Sequence, residues 1–225
     1  MKNLLEYELV IFDMDGTLYY HRPVQLQMGL KLLSFACTHR QGLRELSTIL
    51  KYRKLREKWP LNEKSDSTDM ERQQYEMLAE QMDISCEEAE RIIKKWMFSI
   101  PLNGIYTYRD EKLLFLIQHL NEVGKKTVIY SDYDPVDKMN RLGLSEMPFY
   151  YGGQKELDCM KPDPRGIYVI MEQFGIMDKS SVLVIGDRMS KDGQLAVNAG
   201  VDYLIVKKGK LGRSPIYKTG GALCL

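Results

Sequence analysis

Four short apolar runs, rich in β-branched residues, constrain the fold of this chain more than any other feature of its 225 residues. Each run is too short for a stable helix. Three of the four also lack the alternation of apolar and polar residues found in strands with one face in water. They are therefore predicted to be strands buried on both faces of a sheet. The runs are Leu-Val-Ile-Phe at 9–12, Thr-Val-Ile-Tyr at 127–130, Val-Leu-Val-Ile at 182–185 and Tyr-Leu-Ile-Val at 203–206.

Amphipathic helical patterns separate these strands. Residues 110–124 carry an apolar stripe and end at Gly124, a residue typical of the position that follows a helix. Residues 163–175 carry a second stripe, with Asp163 as a candidate N-cap and Pro164 at the first helical position. Strands that alternate with helices predict an α/β fold, here a Rossmann-like core built on a parallel sheet.

Between about residues 20 and 101 this alternation stops, and a series of amphipathic helices is predicted instead. The strongest covers 85–99, where Ser85 and Glu88 form a capping-box pattern. Two earlier helices are predicted from leucines at helical spacing, which are Leu26, Leu30 and Leu33 in one and Leu43, Leu46 and Leu50 in the other. The predicted domains are a core of residues 1–19 and 102–225 and an all-helical insert of residues 20–101.

The balance of charge argues against nucleic acid and membrane surfaces as partners. Lys plus Arg (32) nearly equals Asp plus Glu (31), so no overall field attracts either one. The basic run at 51–58 is interpreted as a solvated helix face. No apolar run approaches the roughly 20 residues that span a bilayer.

The cysteines favour a reducing compartment. They are far apart and form no CxxC pair, which argues against a zinc site and, without a secretory signal, against a disulfide framework. The expected location is therefore the cytoplasm, and the oligomeric state stays open between monomer and dimer. The four cysteines are Cys37, Cys86, Cys159 and Cys224.

Polar side chains follow three of the predicted strands at the point where each strand ends. Asp13 and Asp15 follow the first, Ser131 and Asp132 follow the second, and Asp187 follows the third. Ligands of an open parallel sheet bind beyond the carboxyl ends of its strands. These side chains are therefore candidates for one common site.

Lys161 and Asp192 extend this candidate set. Carboxylates that crowd together raise one another's pKa unless a cation neutralises them, and a small set of oxygen ligands suits magnesium. The Ser131 hydroxyl and the Lys161 ammonium suit a phosphate oxygen. One carboxylate can attack phosphorus while a second moves the proton, which predicts magnesium-dependent phosphotransfer.

The segment Asp-Met-Asp-Gly-Thr-Leu at 13–18 resembles the first signature, DxDGT(L), of the haloacid dehalogenase-like (HAD) superfamily. Three further signatures follow in order and at plausible spacing: Ser131, Lys161-Pro162, and the segment 186–192 that begins with Gly-Asp. The Ala-Val-Asn-Ala-Gly segment at 196–200 also matches. The chain is identified as a member of this superfamily, similar to its phosphoglycolate phosphatase-like, C1-capped members.

The resemblance implies a division of labour between two carboxylates. Asp13 would be the nucleophile and a magnesium ligand. Asp15 would protonate the leaving oxygen, then activate the hydrolytic water, and its backbone carbonyl would bind the metal. Lys161 would balance the phosphoryl charge and orient Asp13.

The resemblance also assigns the remaining candidates. Ser131 and the amide of Asp132 would hold the phosphoryl group. Asp187 would bind magnesium directly, and Asp192 would support the metal through water or from behind its ligands. Arg188 is bulkier than the residue usual after Asp187 and could contact the substrate. The helical insert would be a cap that closes over the site.

The expected reaction is hydrolysis of a small phosphomonoester, such as a sugar phosphate, a phosphoglycolate-like acid or a nucleotide. Superfamily members that cleave carbon–halogen bonds typically lack the aspartate found here at Asp15, and a cap would exclude macromolecules. Two alternatives stay open. One is a phosphomutase of the β-phosphoglucomutase type, and the other is a binding or regulatory protein that keeps the fold without turnover.

Overall fold

Five parallel strands form one sheet in the computed structural model, which describes residues 3–57, 70–154, 156–157 and 159–206. Four of them are the strands predicted from the sequence, and the α/β fold class is confirmed. The fifth, β3, is a three-residue edge strand of half-buried aromatic residues, too short to give a sequence signal. The strands are β1 (Leu9–Phe12), β2 (Lys126–Ser131), β3 (Phe149–Tyr151), β4 (Val182–Gly186) and β5 (Asp202–Ile205).

The order of the strands, β3-β2-β1-β4-β5, places β1 at the centre of the sheet. Phe12, the last residue of β1, pairs with Ile129 of β2 on one side and with Ile185 of β4 on the other. The backbone N–H of Asp13 continues this ladder by donating to the carbonyl of Ile185 at 2.8 Å. The carboxyl ends of β1, β2 and β4 therefore meet at one edge of the sheet.

Helices pack against this sheet, and every residue of its strands β1 and β4 is buried. The stripe predicted in 110–124 is confirmed by a helix whose N-cap, Asp110, accepts a hydrogen bond from the N–H of Leu113 at 3.1 Å. The second predicted helix begins at Arg165, so Pro164 is the N-cap and not the first helical residue. The helices of this part are α6 (Glu111–Glu122), α7 (Val136–Leu142), α8 (Arg165–Gln173) and α9 (Gln194–Ala199).

The chain divides into two compact units, Met1–His21 with Arg109–Leu225 and Arg22–Tyr108. Every element described in the second unit is helical. The two boundaries lie two and seven residues beyond those predicted, which puts the short helix α5 in the helical unit. Its helices are α1 (His21–Thr38), α2 (Gly42–Glu57), α3 (Met70–Met82), α4 (Cys86–Ile93), a π-helical continuation (Lys94–Ser99) and α5 (Leu102–Thr107).

Parts of the predicted domains lie outside the described residues. They are 58–69 of the insert and 1–2, 155, 158 and 207–225 of the core, which include the last residue of the basic run and Cys224. The other three cysteines carry free thiols. Within the described ranges, no helix combines the length and the apolarity that crossing a lipid bilayer requires.

The leucine patterns in the insert correctly identify two helices. Most of these leucines, however, lie on the exposed faces of the helices and not on the buried faces. Leu26, Leu30 and Leu33 lie exposed on α1, while Val24 and Leu32 are buried. Two of the three leucines that predicted α2 are likewise exposed. Helical spacing identifies an apolar stripe on a helix. Which side of that helix is buried depends on how the neighbouring helices pack against it.

A buried carboxylate ties together three helical segments of the second unit. The Glu45 side chain on α2 is 3% exposed and accepts hydrogen bonds from the ammonium of Lys95 at 2.8 Å and the indole N–H of Trp96 at 2.5 Å. The guanidinium of Arg91 on α4 lies 3.6 Å away. Burial opposes the charge of Glu45, but these donors outweigh it and hold its pKa below the usual range.

We expect Glu45→Gln to lower the free energy of unfolding by about 2–4 kcal/mol, because it leaves buried donors poorly paired. Chemical denaturation followed by circular dichroism measures the change. The carboxylate stabilises the fold above the ordinary glutamate pKa of about 4.3, so the difference from wild type should shrink as the pH falls below that value.

The matched control is Glu76→Gln on α3. Glu76 pairs with Arg72 at 3.0 Å, but both side chains are more than half exposed. We expect this change to cost no more than about 0.5 kcal/mol. Equal effects of the two substitutions would contradict the role assigned to Glu45.

Candidate active site

The loop that follows β1 holds the Asp13 carboxylate by both of its oxygens. Oδ1 accepts a hydrogen bond from the Lys161 ammonium at 2.7 Å, and Oδ2 accepts one from the Thr17 hydroxyl at 2.7 Å. Asp13 and Thr17 are both buried. These two hydrogen bonds therefore fix the orientation of the Asp13 carboxylate at the carboxyl edge of the sheet.

Lys161 is a buried cation between two carboxylates. Its ammonium is 2.7 Å from Asp13 Oδ1 and 2.8 Å from Asp192 Oδ1, and its side chain is 2% exposed. Burial alone would lower the pKa of Lys161, but the charges of Asp13 and Asp192 outweigh it and raise the pKa above its ordinary value. Lys161 is therefore charged throughout the neutral pH range.

Asp13, Asp187 and Asp192 form an acidic cluster in which one oxygen from each lies within 4.8 Å of the others. Burial raises the pKa of Asp13 to about 7, and the charges of Asp192 and Asp187 add to this effect, while Lys161 opposes it. A divalent cation among these oxygens would relieve the repulsion. The donor set is of the all-oxygen kind that magnesium prefers.

The members of this cluster are not equally available to a metal. Asp192 has its Oδ1 bound to Lys161 and its Oδ2 at 3.1 Å from the backbone N–H of Arg188. Asp13 likewise has a partner for each oxygen, so hydrogen bonding alone does not separate these two residues. Asp192 is the most deeply buried of the three, with its side chain 2% exposed against 8% for Asp13 and 24% for Asp187, and it is therefore the least accessible to a cation.

Two glycines allow the cluster to form. Gly16 has a φ of +91°, and a Cβ on it would overlap the Asp187 carboxylate. A Cβ on Gly186, the last residue of β4, would overlap the side chain of Asp192. Both positions need the absence of a side chain so that backbone and carboxylate can approach closely.

Asp15 lies two residues after Asp13 but has different partners. Its Oδ1 accepts hydrogen bonds from the Tyr19 hydroxyl at 2.5 Å and from the Lys138 ammonium at 2.6 Å, and its Oδ2 accepts from Lys138 at 2.7 Å. Burial would raise the pKa of Asp15, but Lys138 and Tyr19 outweigh it and hold the pKa below its usual range. Asp15 is therefore ionised in the free protein.

Ser131 and Asp132 lie at the end of β2. The Ser131 hydroxyl is buried and accepts a hydrogen bond from the backbone N–H of Tyr133 at 3.2 Å. The Asp132 carboxylate accepts one from the backbone N–H of Lys161 at 3.3 Å and lies 3.6 Å from the guanidinium of Arg188. Asp132 is thus linked to the acidic cluster through Lys161 and Arg188.

Four of the seven candidates predicted from the sequence, Asp13, Lys161, Asp187 and Asp192, come together in one cluster. The other three flank it, with Asp15 joined to Lys138 and with Ser131 and Asp132 on the neighbouring strand. The catalytic and metal-binding roles assigned to these residues stay predictions. The arrangement has a carboxylate held at both oxygens, a buried cation beside it and two further carboxylates close by.

A family model described as haloacid dehalogenase-like hydrolase matches residues 7–200 of the chain. The chain belongs to this family. No curated protein sequence gives a significant match to this HAD-like hydrolase.

Solved structures share the fold of this HAD-like hydrolase at low sequence identity. A 2-haloacid dehalogenase from Pseudomonas syringae pv. Tomato has a TM-score of 0.60 at 20% identity, over 93% of this chain and 92% of its own. YfnB from Bacillus subtilis, bound to magnesium, has a TM-score of 0.60 at 14% identity, over 88% of each chain. A mutant of CbbY from Rhodobacter sphaeroides, in complex with xylulose 1,5-bisphosphate, has a TM-score of 0.55 at 13% identity, over 90% and 87%.

The sequence analysis of this HAD-like hydrolase did not identify two lysines that contact the candidate site residues. Lys138 was not singled out, although it lies in the first turn of the helix that follows the second motif. Strand-end reasoning does not reach Lys138, because it lies inside α7 and not directly after β2. Lys191, whose ammonium donates to the backbone carbonyl of Lys161 at 2.8 Å, gave no signal beyond its place in the fourth motif.

We expect Gly16→Ala to weaken magnesium binding at least about tenfold, because its Cβ would displace the Asp187 carboxylate. Isothermal titration calorimetry with magnesium chloride measures the affinity. The positive φ should also cost about 1 kcal/mol of stability.

Gly124→Ala provides the matched control, because Gly124 has a φ of +77° but a Cβ there meets no atom within 4 Å. It should lose a similar amount of stability and keep the magnesium affinity of the wild type. Unchanged affinity in Gly16→Ala, or equal loss in both variants, would show that the contact with Asp187 does not shape the cation site.

Proposed function

We propose that this HAD-like hydrolase is a magnesium-dependent phosphatase that acts on small phosphomonoesters through an aspartyl-phosphate. One observation carries the proposal. Asp13 is held by Lys161 and Thr17 beside two further carboxylates at the carboxyl edge of the sheet. This arrangement supplies a fixed nucleophile, a cation for phosphoryl charge and ligands for a metal.

The first half of the reaction would transfer the phosphoryl group to the protein. An Asp13 carboxylate oxygen bonds to phosphorus as the bond from phosphorus to the leaving oxygen breaks, and Asp15 gives that oxygen a proton. Asp15 is ionised in the free protein, and the approach of a phosphate dianion favours its protonation. The Lys161 ammonium, 2.7 Å from Asp13 Oδ1, offsets the negative charge that accumulates there.

The second half would return the protein to its starting state. Asp15 takes a proton from water, the water oxygen bonds to phosphorus, and the bond between phosphorus and Asp13 breaks to release orthophosphate. Asp15 then returns a proton to solvent, which balances the proton that it took up from solvent when the substrate bound. The Lys138 and Tyr19 donors favour the ionised form of Asp15, which suits its role as a base in this half. The Ser131 hydroxyl and the amide of Asp132 would hold the phosphoryl oxygens in both halves.

We assign the magnesium ion to Asp13 and Asp187, with the backbone carbonyl of Asp15 as a third ligand from the protein. Asp192 would act through water or from behind these ligands, because its side chain is the most deeply buried of the three carboxylates. When bound, the ion would neutralise charge on the transferring phosphoryl oxygens. The magnesium bound to YfnB, which shares the fold, is in keeping with this assignment.

Asp15 favours phosphate esters over organic halides as substrates. A carbon–halogen bond releases a halide that needs no proton, whereas an alkoxide leaving group does need one. The fold shared with a 2-haloacid dehalogenase therefore does not decide the reaction. We further propose that the helical unit is a cap that limits substrates to small metabolites, and that the protein works in the cytoplasm.

We expect Asp13→Asn to lower phosphate release at least about a thousandfold, because an amide cannot form the acyl-phosphate. A phosphate-release screen over a metabolite panel, with magnesium or with EDTA, measures this activity. Because the pKa of Asp13 is raised to about 7 in the folded protein, this group lowers the stability of the metal-free protein as the pH rises from its ordinary pKa of 3.8 to about 7, and the full loss is present above that pH. The thermal midpoint of Asp13→Asn at pH 8 should therefore equal or exceed that of the wild type.

Asp137→Asn, on an exposed position of α7, is the control and should keep full activity. Substantial phosphate release by Asp13→Asn would overturn the proposal. Isomerisation of a sugar monophosphate without phosphate release would identify a mutase instead. A wild-type protein that turns over nothing in the panel would favour the regulatory alternative.

A further inference from the structure

Lys138 is a buried cation that no part of the HAD-type signature requires. It occupies the third position of α7, is 6% exposed, and comes from a part of the chain 123 residues away from Asp15. Its ammonium donates to both oxygens of Asp15, at 2.6 and 2.7 Å. Lys138 and Asp15 therefore form an ion pair in which the ammonium contacts both carboxylate oxygens and not one alone.

Tyr19 completes the environment of the Asp15 carboxylate. Its hydroxyl donates to Oδ1, the oxygen that also accepts from Lys138, so Oδ1 has two donors while Oδ2 has one. A carboxylate oxygen has two lone-pair directions. Among the described residues Oδ1 is therefore fully engaged, and the second lone pair of Oδ2 is the one left to exchange a proton with a ligand.

We propose that Lys138 is a positioning residue that, with Tyr19, fixes the Asp15 carboxylate so that Oδ2 faces the leaving oxygen of the substrate. The inference rests on the proposed phosphatase function and adds to it a residue for the leaving-group step. Lys138 contacts neither the phosphoryl group nor the metal in this assignment. It acts only through Asp15.

The energetics of the pair favour a functional role over a purely structural one. A buried ion pair seldom stabilises a fold more than well-packed apolar residues would, because desolvation offsets the attraction. What Lys138 does supply is orientation, since without it the Asp15 side chain has other staggered rotamers to adopt. A displacement of about 1 Å at a reacting group is enough to cost about a hundredfold in rate.

The step that depends on this orientation is the transfer of a proton from Asp15 to the leaving oxygen as its bond to phosphorus breaks. An alkyl phosphate needs that proton, because an alkoxide is a poor leaving group. p-Nitrophenyl phosphate does not need it, because nitrophenolate leaves as the anion. Comparison of the two esters therefore separates the positioning of Asp15 from a general disturbance of the site.

The experiment compares kcat/KM for glycerol 2-phosphate and for p-nitrophenyl phosphate in wild type, Lys138→Met and Lys138→Arg, with magnesium present. This parameter includes every step up to departure of the leaving group. We expect Lys138→Met to lose about 100-fold with glycerol 2-phosphate and less than about fivefold with p-nitrophenyl phosphate. Lys138→Arg should recover at least about tenfold of the loss, because it keeps a cation at Asp15.

The matched control is Lys126→Met, which removes a lysine that donates to the backbone carbonyl of Phe174 at 2.7 Å from the start of β2. It lies at the opposite end of the strand from the site and should leave both kcat/KM values unchanged. Equal losses with both esters in Lys138→Met, or no loss with either, would overturn the positioning role.

A crystal structure of Lys138→Met tests the inference without any turnover. We expect the Asp15 carboxylate to rotate away from its wild-type direction or to occupy more than one rotamer. An Asp15 that keeps its orientation would refute the inference even if the protein hydrolyses neither ester. Absence of phosphate release from both esters by the wild type, in contrast, would count against the proposed function alone.

Discussion

The ammonium of Lys161 makes it possible for the core to bury its carboxylates. It lies between Asp13 and Asp192, and both acids would be costly to bury as unpaired charges. Even with Lys161 in place, burial and, to a smaller extent, the charges of Asp192 and Asp187 raise the pKa of Asp13. A divalent cation is the species best able to stabilise these carboxylates in their ionised form.

Asp13 and Asp15 illustrate how two neighbouring acids acquire different properties. The pKa of Asp13 is raised by burial among carboxylates, whereas that of Asp15 is lowered by Lys138 and Tyr19 in spite of burial. Pairs of acids whose environments push their pKa values apart are typical of sites with a division of catalytic labour. Here one acid is bound to Lys161 and the other to Lys138, so each has its own cation.

The parallel sheet and the residues at the strand ends were predictable because they depend on local patterns. Apolar runs identify strands buried on both faces, and side chains that follow neighbouring parallel strands must meet at one edge. The edge strand β3 escaped prediction because three residues carry too little pattern. The exposed leucines of α1 show what periodicity does not predict. It identifies a helix, but not the face that other helices cover.

The sequence by itself determined the family and the parallel sheet, because the signature motifs and the apolar runs are local patterns that can be recognised without the fold. Only the tertiary structure decided which cation pairs with which acid. Lys138 lies 123 residues from Asp15, and no spacing rule relates the first turn of α7 to the loop after β1. Their contact arises because β2 lies beside β1 in the sheet, and strand pairing is a property of the folded chain.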